Sequence, residues 1–123
     1  MTNEGSTKRP WFDALPYSAV IKDLPEIDAS FPGVRGWLLQ GDSRQVVFFD
    51  IEAIGAVLPH KHGEQWGVVL AGEMKLTVEG VTHHLRPGDW YHIPAGAMHS
   101  AEFLSRFQAI DVFADRDRYA AKR

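Results

Sequence analysis

An alternation of apolar and polar residues marks the middle of the chain. Met74, Leu76 and Val78 are apolar, and the two residues between them are polar. Successive side chains of a β-strand point to opposite faces, so this spacing predicts a strand with one buried face and one solvated face. Glu79-Gly80 follows as a turn signal, and residues 81–85 continue as a second short run. The pattern therefore predicts a β-hairpin here.

Most of the chain follows the same plan of short apolar runs separated by Gly, Pro, Asp and Ser. Many short strands joined by such turns predict an all-β sandwich or barrel. A short strand is also expected at residues 17–21, and residues 25–33 are expected to form a loop. Residues 114–122 have room for one or two helical turns. The remaining predicted strands cover residues 34–40, 45–52, 66–70, 90–93, 100–104 and 107–113.

The length of 123 residues fits one domain, predicted over residues 11–123 behind a polar arm of residues 1–10. The net charge of -3, with mixed signs, argues against a nucleic-acid-binding surface. No apolar run approaches the roughly 20 residues that span a bilayer. The first residues lack the apolar core of a secretory signal, so a cytoplasmic protein is expected. The chain has no cysteine, which excludes disulfides and thiolate metal sites.

The most distinctive polar stretch contains His60 and His62. In an extended strand, residues two apart point to the same face, so both imidazoles can share one site. Glu64 and Gln65 follow closely, and imidazoles with a nearby oxygen ligand can hold a divalent transition metal. Strict alternation would put Glu64 on the histidine face. A bulge at Gly63 would instead turn Gln65 inward.

A third candidate ligand, His99, closes the stretch of residues 88–99, where a turn leads the chain back into a strand. The other histidines are less suggestive. His83 and His84 are adjacent, so they point to opposite faces beside a hairpin and are expected at the surface. His92 is interpreted as a hydrogen-bonded structural residue, with a place at a pocket mouth as the alternative.

These two histidine-bearing stretches resemble the paired motifs of the cupins. The first motif has the form G-x5-H-x-H-x3,4-E-x6-G and the second G-x5-P-x-G-x2-H-x3-N. Phe103 stands where the second motif usually has Asn. The resemblance implies a cupin jelly roll, the double-stranded β-helix, which encloses a pocket. The matching residues are His60, His62 and Gly72 in the first motif, and Gly88, Pro94, Gly96 and His99 in the second.

The resemblance also implies a ligand set. Counting back from Gly72 by the family's spacing reaches Gln65, and small cupins with an H-x-H-x-x-Q-W-G pattern are similar to this chain; Glu64 remains the alternative. A neutral set leaves the full charge of the ion to polarise a bound oxygen. The ligand types leave Zn, Mn, Fe and Ni open. The implied metal ligands are His60, His62, Gln65 and His99.

Asp111 lies in a run, residues 107–113, that is mostly apolar on both faces. Burial raises the pKa of a carboxyl group and suits it to act as a general base; a structural aspartate bound to backbone N–H groups or an arginine fits equally well. The ending Asp111-Val112-Phe113, with Arg116 beyond it, resembles the tail of cupins that open unsaturated uronate rings. That resemblance implies catalysis by Asp111 and carboxylate binding by Arg116.

Three functions therefore stand open. The leading hypothesis is a metal-dependent lyase, isomerase or ring-opening enzyme that acts on a small sugar-like or keto-acid substrate. The alternatives are an iron-dependent dioxygenase and a cupin that binds a small ligand without catalysis. The resemblance also implies a homodimer, and Trp11 and Phe12 are apolar residues that such an assembly would cover.

Overall fold

A computed structural model describes residues 17–53 and 55–122. The predicted arm of residues 1–10, with Trp11 and Phe12, lies outside the described residues. None of the helices described could span a bilayer. The elements are α1 (Ala19–Lys22), β1 (Val34–Gln40), β2 (Gln45–Ile51), β3 (Gly55–His60), β4 (Gln65–Ala71), β5 (Met74–Val78), β6 (Val81–Leu85), β7 (Trp90–Ile93), β8 (His99–Phe103) and β9 (Phe107–Phe113).

Two antiparallel sheets form a jelly roll, which confirms the all-β prediction. One sheet has the strand order β1-β2-β9-β4-β7, and the other has the order β3-β8-β5-β6. In β2 the residues at 45, 47, 49 and 51 are buried and those between them are half-buried, so its two faces alternate as the sequence pattern requires. The buried faces of the sheets supply a core rich in Phe, Ile, Val and Leu.

The predicted hairpin of β5 and β6 is confirmed, with Val78 paired to Val81. Both residues of its turn have positive φ, 47° at Glu79 and 82° at Gly80. Two consecutive positive φ values are the signature of a type I′ turn, whose twist matches that of the flanking strands.

The strand predicted over residues 17–21 is wrong, because α1 occupies most of it. The carbonyl of Ser18 accepts the backbone N–H groups of Ile21 and Lys22, which closes one helical turn. Val20 is 81% exposed, and none of the described strands pairs with this segment. The Tyr17 side chain anchors its start by donating a hydrogen bond to the Phe49 carbonyl, 2.7 Å away.

The helical turns suggested for residues 114–122 are also wrong. The segment instead runs through turns to Ala121, which forms an antiparallel bridge with Ile27. Gln45 is 1% exposed, and its side-chain amide holds the Tyr119 backbone at both ends. The Tyr119 N–H donates to its Oε1 at 3.0 Å, and its Nε2 donates to the Tyr119 carbonyl at 2.9 Å. These contacts fix the C-terminal tail, residues 114–122, against the barrel.

Candidate metal and substrate site

Three histidines converge inside the barrel. His60 ends β3, His62 lies in the loop that follows, and His99 begins β8 as the register partner of His60. Their metal-binding atoms all lie within 4.8 Å of one another. His99 is 5% exposed, and the other two are half-buried. In the described part of the chain, no other set of three His, Cys, Asp or Glu side chains comes together in this way.

Each of these imidazoles is oriented by a backbone carbonyl on its Nδ1 side. His60 Nδ1 lies 3.0 Å from the Leu58 carbonyl, His62 Nδ1 lies 2.8 Å from that of Gly63, and His99 Nδ1 lies 2.9 Å from that of Ala97. A carbonyl oxygen can only accept a hydrogen bond, so each Nδ1 carries the proton. Each Nε2 then keeps its lone pair for a metal, which is the usual arrangement of a ligating histidine.

Electrostatics also favour metal-competent histidines. Burial lowers the pKa of His62 and His99, and the positive charge of Arg118 lowers both further, although their backbone hydrogen bonds act in the opposite direction. The neutral imidazole, which is the form that ligates metals, is therefore favoured. Both the donor atoms and their protonation state fit a divalent transition ion.

Gln65, rather than Glu64, points into the barrel. The chain leaves strand geometry between β3 and β4, which resets the alternation and starts β4 with Gln65 facing inward. The exposed Glu64 carboxylate instead accepts a hydrogen bond from His92 Nε2 at 2.7 Å. His92 is thus a hydrogen-bonded surface residue.

Gly63 allows the loop between β3 and β4 to turn. Its N–H donates to the Asp115 carboxylate at 2.8 Å, and a Cβ at this position would overlap that carboxylate. Glycine is therefore required here because the backbone of the loop approaches the Asp115 carboxylate closely. The sequence had instead offered a strand bulge as the role of Gly63.

The remaining histidines lie away from the cluster. His83 and His84 are exposed on β6, as predicted. His84 Nε2 lies 2.7 Å from the Glu73 carboxylate, on the outside of the molecule.

Asp111 is 2% exposed on β9 and contributes to the lining of the same cavity. The hydroxyl of Tyr91 lies 2.8 Å and 2.9 Å from its two carboxylate oxygens, and Gln65 Nε2 donates to Oδ2 at 2.7 Å. Burial raises the pKa of Asp111 to about 6, even though both hydrogen bonds act to lower it. Its partners are therefore neutral side chains, rather than the backbone N–H groups or arginine of the structural alternative.

Gly67 makes the contact between Tyr91 and Asp111 possible. It is the register partner of Tyr91 on one side and of Asp111 on the other, so the tyrosine must reach across β4 to the carboxylate. A Cβ on Gly67 would overlap the ring and hydroxyl of Tyr91. The missing side chain is what leaves room for the tyrosine over this strand.

Replacing Gly67 with alanine should therefore lower the free energy of unfolding by about 1–3 kcal/mol, the usual cost of overpacking a well-packed site. Urea denaturation measures the loss. The matched control is the same substitution in a Tyr91→Leu background, where the overlap is removed and the cost should shrink. An equal loss in both backgrounds would contradict the proposed role of Gly67.

The cavity of about 460 Å³ that holds these groups also contains an arginine that the sequence did not single out. Arg118 lines it from the C-terminal tail, and its Nε is buried without a hydrogen-bond partner among the described residues. Arg116 is exposed, is absent from the lining, and donates from Nε to the Asp42 carbonyl at 3.0 Å. The structure thus brings Arg118, and not Arg116, to the histidine cluster.

Comparison with known proteins gives a family and a fold. The sequence model of the cupin domain matches residues 47–113. No curated protein matches the chain.

Three solved structures of differently named proteins share this fold. KdgF from Halomonas sp. has a TM-score of 0.64 at 24% identity, covering 74% of this chain and 87% of its own. An RmlC-like cupin from Shewanella frigidimarina has a TM-score of 0.67 at 24% identity, with 83% and 92% covered. Salicylate 1,2-dioxygenase from Pseudoaminobacter salicylatoxidans has a TM-score of 0.62 at 18% identity, covering 70% of this chain and only 26% of its own. At these identities the likeness concerns the fold alone.

Proposed function

Because the chain belongs to the cupin domain family, we propose that it is a metal-dependent enzyme acting on a small carboxylate substrate by lyase, isomerase or ring-opening chemistry. One observation carries the proposal. Three histidines with free Nε2 lone pairs share a cavity with a buried carboxylate and a cation, Asp111 and Arg118. A metal site, a proton acceptor and an anion-binding group are the components that such reactions need.

The histidines His60, His62 and His99 would hold the ion, with Gln65 as the fourth ligand. The ion would be Zn, Mn, Fe or Ni, and it would supply Lewis-acid polarisation of a substrate oxygen when bound. Gln65 also contacts Asp111 through its Nε2, so one side chain connects the metal site and the carboxylate.

Asp111 is the group proposed to take and return a proton. Its two hydrogen bonds, from Tyr91 and Gln65, fix the orientation of the carboxylate. Burial raises its pKa to about 6, close to the pH at which a general base is most effective. Arg118 would bind the substrate carboxylate, because it lines the cavity, its positive charge acts on His62 and His99, and its Nε has no hydrogen-bond partner among the described residues.

The test is turnover by protein reconstituted with each of the four metals, on a panel of unsaturated uronates and keto acids, with oxygen uptake recorded in parallel. The proposal expects product from at least one metal and substrate pair without oxygen consumption. Oxygen uptake coupled to turnover would favour the dioxygenase alternative. If ligands bind but none of the four metals supports turnover, the result would favour a non-catalytic cupin.

The two arginines of the tail provide a matched pair. Replacing Arg118 with glutamine should raise the KM for a carboxylate substrate by about 10- to 100-fold, the cost of losing a charge-assisted hydrogen bond, with a smaller change in kcat. Arg116→Gln removes an equal charge from the same segment and should leave the KM within about twofold, because Arg116 is exposed and bonded to Asp42. A larger KM effect at Arg116 would restore the assignment suggested by the sequence.

The homodimer and the cytoplasmic location stay predictions.

A further inference from the structure

The chemical character of the cavity lining changes along the strands. His99, Ala101 and Phe103 of β8 all line the cavity. At about 3.3 Å per residue, Phe103 lies roughly 13 Å along the strand from His99. The residues paired beside them on β5 also line the cavity, Leu76 next to Ala101 and Met74 next to Phe103. Away from the histidine, this wall carries no polar side chain.

The facing wall, formed by β9 and β2, also changes from polar to apolar with distance from the histidines. On β9 the polar residue that lines the cavity is Asp111, at the histidine end. On β2 the lining residues are Phe49 and Ile51, both buried. Beyond the polar groups at the histidine end, two lining residues among those described carry a hydroxyl: Ser30, which is exposed in the loop before β1, and Tyr119, whose ring packs against Phe49 and Phe113.

The rim of the cavity carries two large apolar side chains beside the polar Ser30 and Lys61. Phe31 is 47% exposed and Leu58 is 74% exposed, and both line the cavity. Large apolar side chains held at the surface beside a cavity are typical of ligand-binding sites. A ligand with an apolar portion would cover them as it enters.

From this division we propose that the substrate is a carboxylic acid or keto acid with a contiguous apolar body, and not a polyhydroxylated sugar acid. The acid group lies at the histidine and Arg118 end, and the apolar body lies against Leu76, Met74 and Phe103. The position of the acid group rests on the proposed function. The nature of the body rests on the lining alone.

The energetic reason is desolvation. A hydroxyl buried without a hydrogen-bond partner weakens binding by roughly 5- to 100-fold. A sugar ring extending toward Phe103 would bury several hydroxyls beside side chains that cannot bond to them. Each buried methylene, in contrast, should strengthen binding by roughly fourfold.

The experiment is calorimetric titration of metal-loaded protein with acetate, butanoate, hexanoate and octanoate, and with galacturonate and glucuronate. We expect affinity to rise by roughly fourfold per methylene along the alkanoate series. Hexanoate should bind at least tenfold more tightly than either uronate. An affinity that does not change with chain length, tighter binding of a uronate, or no binding by any alkanoate would overturn the proposal.

A matched pair of variants separates the cavity from non-specific adhesion. Val57→Thr adds a hydroxyl at a half-buried lining position with little change in shape, and should weaken octanoate binding at least threefold while leaving acetate unchanged. Val81→Thr makes the same change at an exposed position on β6, outside the lining, and should have no effect. Equal effects of the two variants would count against the proposal.

Metal analysis of the same samples keeps the two proposals apart. If the affinity rises with alkanoate chain length but the protein holds no metal, the proposed apolar substrate body stands and the proposed metal-dependent enzyme is refuted. If the protein binds stoichiometric metal but prefers uronates to alkanoates, the metal centre stands and the proposed apolar substrate body is refuted.

Discussion

Replacing His99 with alanine should abolish most metal binding by this protein. The imidazole of His99 is buried, fixed through Nδ1 by the Ala97 carbonyl, and within 4.8 Å of the other two ligand nitrogens. Loss of a residue that merely supports a ligand costs about 10- to 100-fold in metal affinity, so loss of the ligand itself should cost at least about 100-fold. Elemental analysis of protein purified without a histidine tag should show near-stoichiometric metal in the wild type and little in the variant.

Two other histidines serve as controls for this experiment. His84→Ala and His92→Ala remove exposed imidazoles that bond to Glu73 and Glu64 outside the cavity, so both variants should keep their metal. The wild-type protein should also be tested after reconstitution with Zn, Mn, Fe and Ni. If none of the four ions remains bound to it, the metal centre is refuted.

Replacing Asp111 with asparagine should lower turnover by about 10²- to 10⁴-fold, the contribution of a general base, while metal content is retained. Asparagine keeps the shape of aspartate and can still accept a hydrogen bond from Tyr91, but it cannot take a proton. The measurements are kcat on a substrate that the wild type uses, together with metal content and a melting curve. An asparagine variant with undiminished turnover would exclude Asp111 as the base.

The stability of the same variant separates a catalytic from a structural role. The pKa of Asp111 is raised in the folded state from 3.8 to about 6, so folding favours the protonated carboxyl. That contribution is fully present below about pH 4 and is lost as the pH rises through about 6. At pH 7 the ionised side chain therefore destabilises the metal-free fold, by up to about 3 kcal/mol.

Asparagine is neutral at every pH and lacks this dependence. We expect the metal-free Asp111→Asn protein to match or exceed the wild type in unfolding free energy at pH 7, and to lose that advantage near pH 4. Urea denaturation at the two pH values measures the difference. A variant that is less stable by about 1–3 kcal/mol at pH 7 would indicate that Asp111 is held for structural reasons.

Most of the strands, though not β3, and the principal ligand candidates were within reach of the sequence because they depend on local pattern. Alternation and turn residues predicted β5 and β6 to the residue, including the Glu79-Gly80 turn. The spacing of His60 and His62 indicated a shared site even though His62 lies beyond the end of its strand.

The features that sequence reasoning missed depend on contacts between distant segments. Tyr91 reaches Asp111 only because β7 and β9 flank β4 at Gly67, and no local pattern records that register. The choice between Arg116 and Arg118 depends on the path of the tail, which Gln45 and the bridge between Ile27 and Ala121 determine. The helix α1 was missed because its residues have strand-like composition but no sheet neighbour among the described residues.

The division of labour between barrel and tail has an evolutionary consequence. The candidate metal ligands stand on or beside barrel strands, whereas Arg118 is presented by a segment that follows the last strand and is held by Gln45 and by backbone bonds. Segments outside a sheet tolerate insertions and deletions far better than strands do. A change of one or two residues in the length of the tail would place a different side chain where Arg118 lines the cavity, and it would leave the three histidines unchanged. New substrate preferences could then arise within this lineage by shortening, lengthening or transplanting the tail, without redesign of the metal centre.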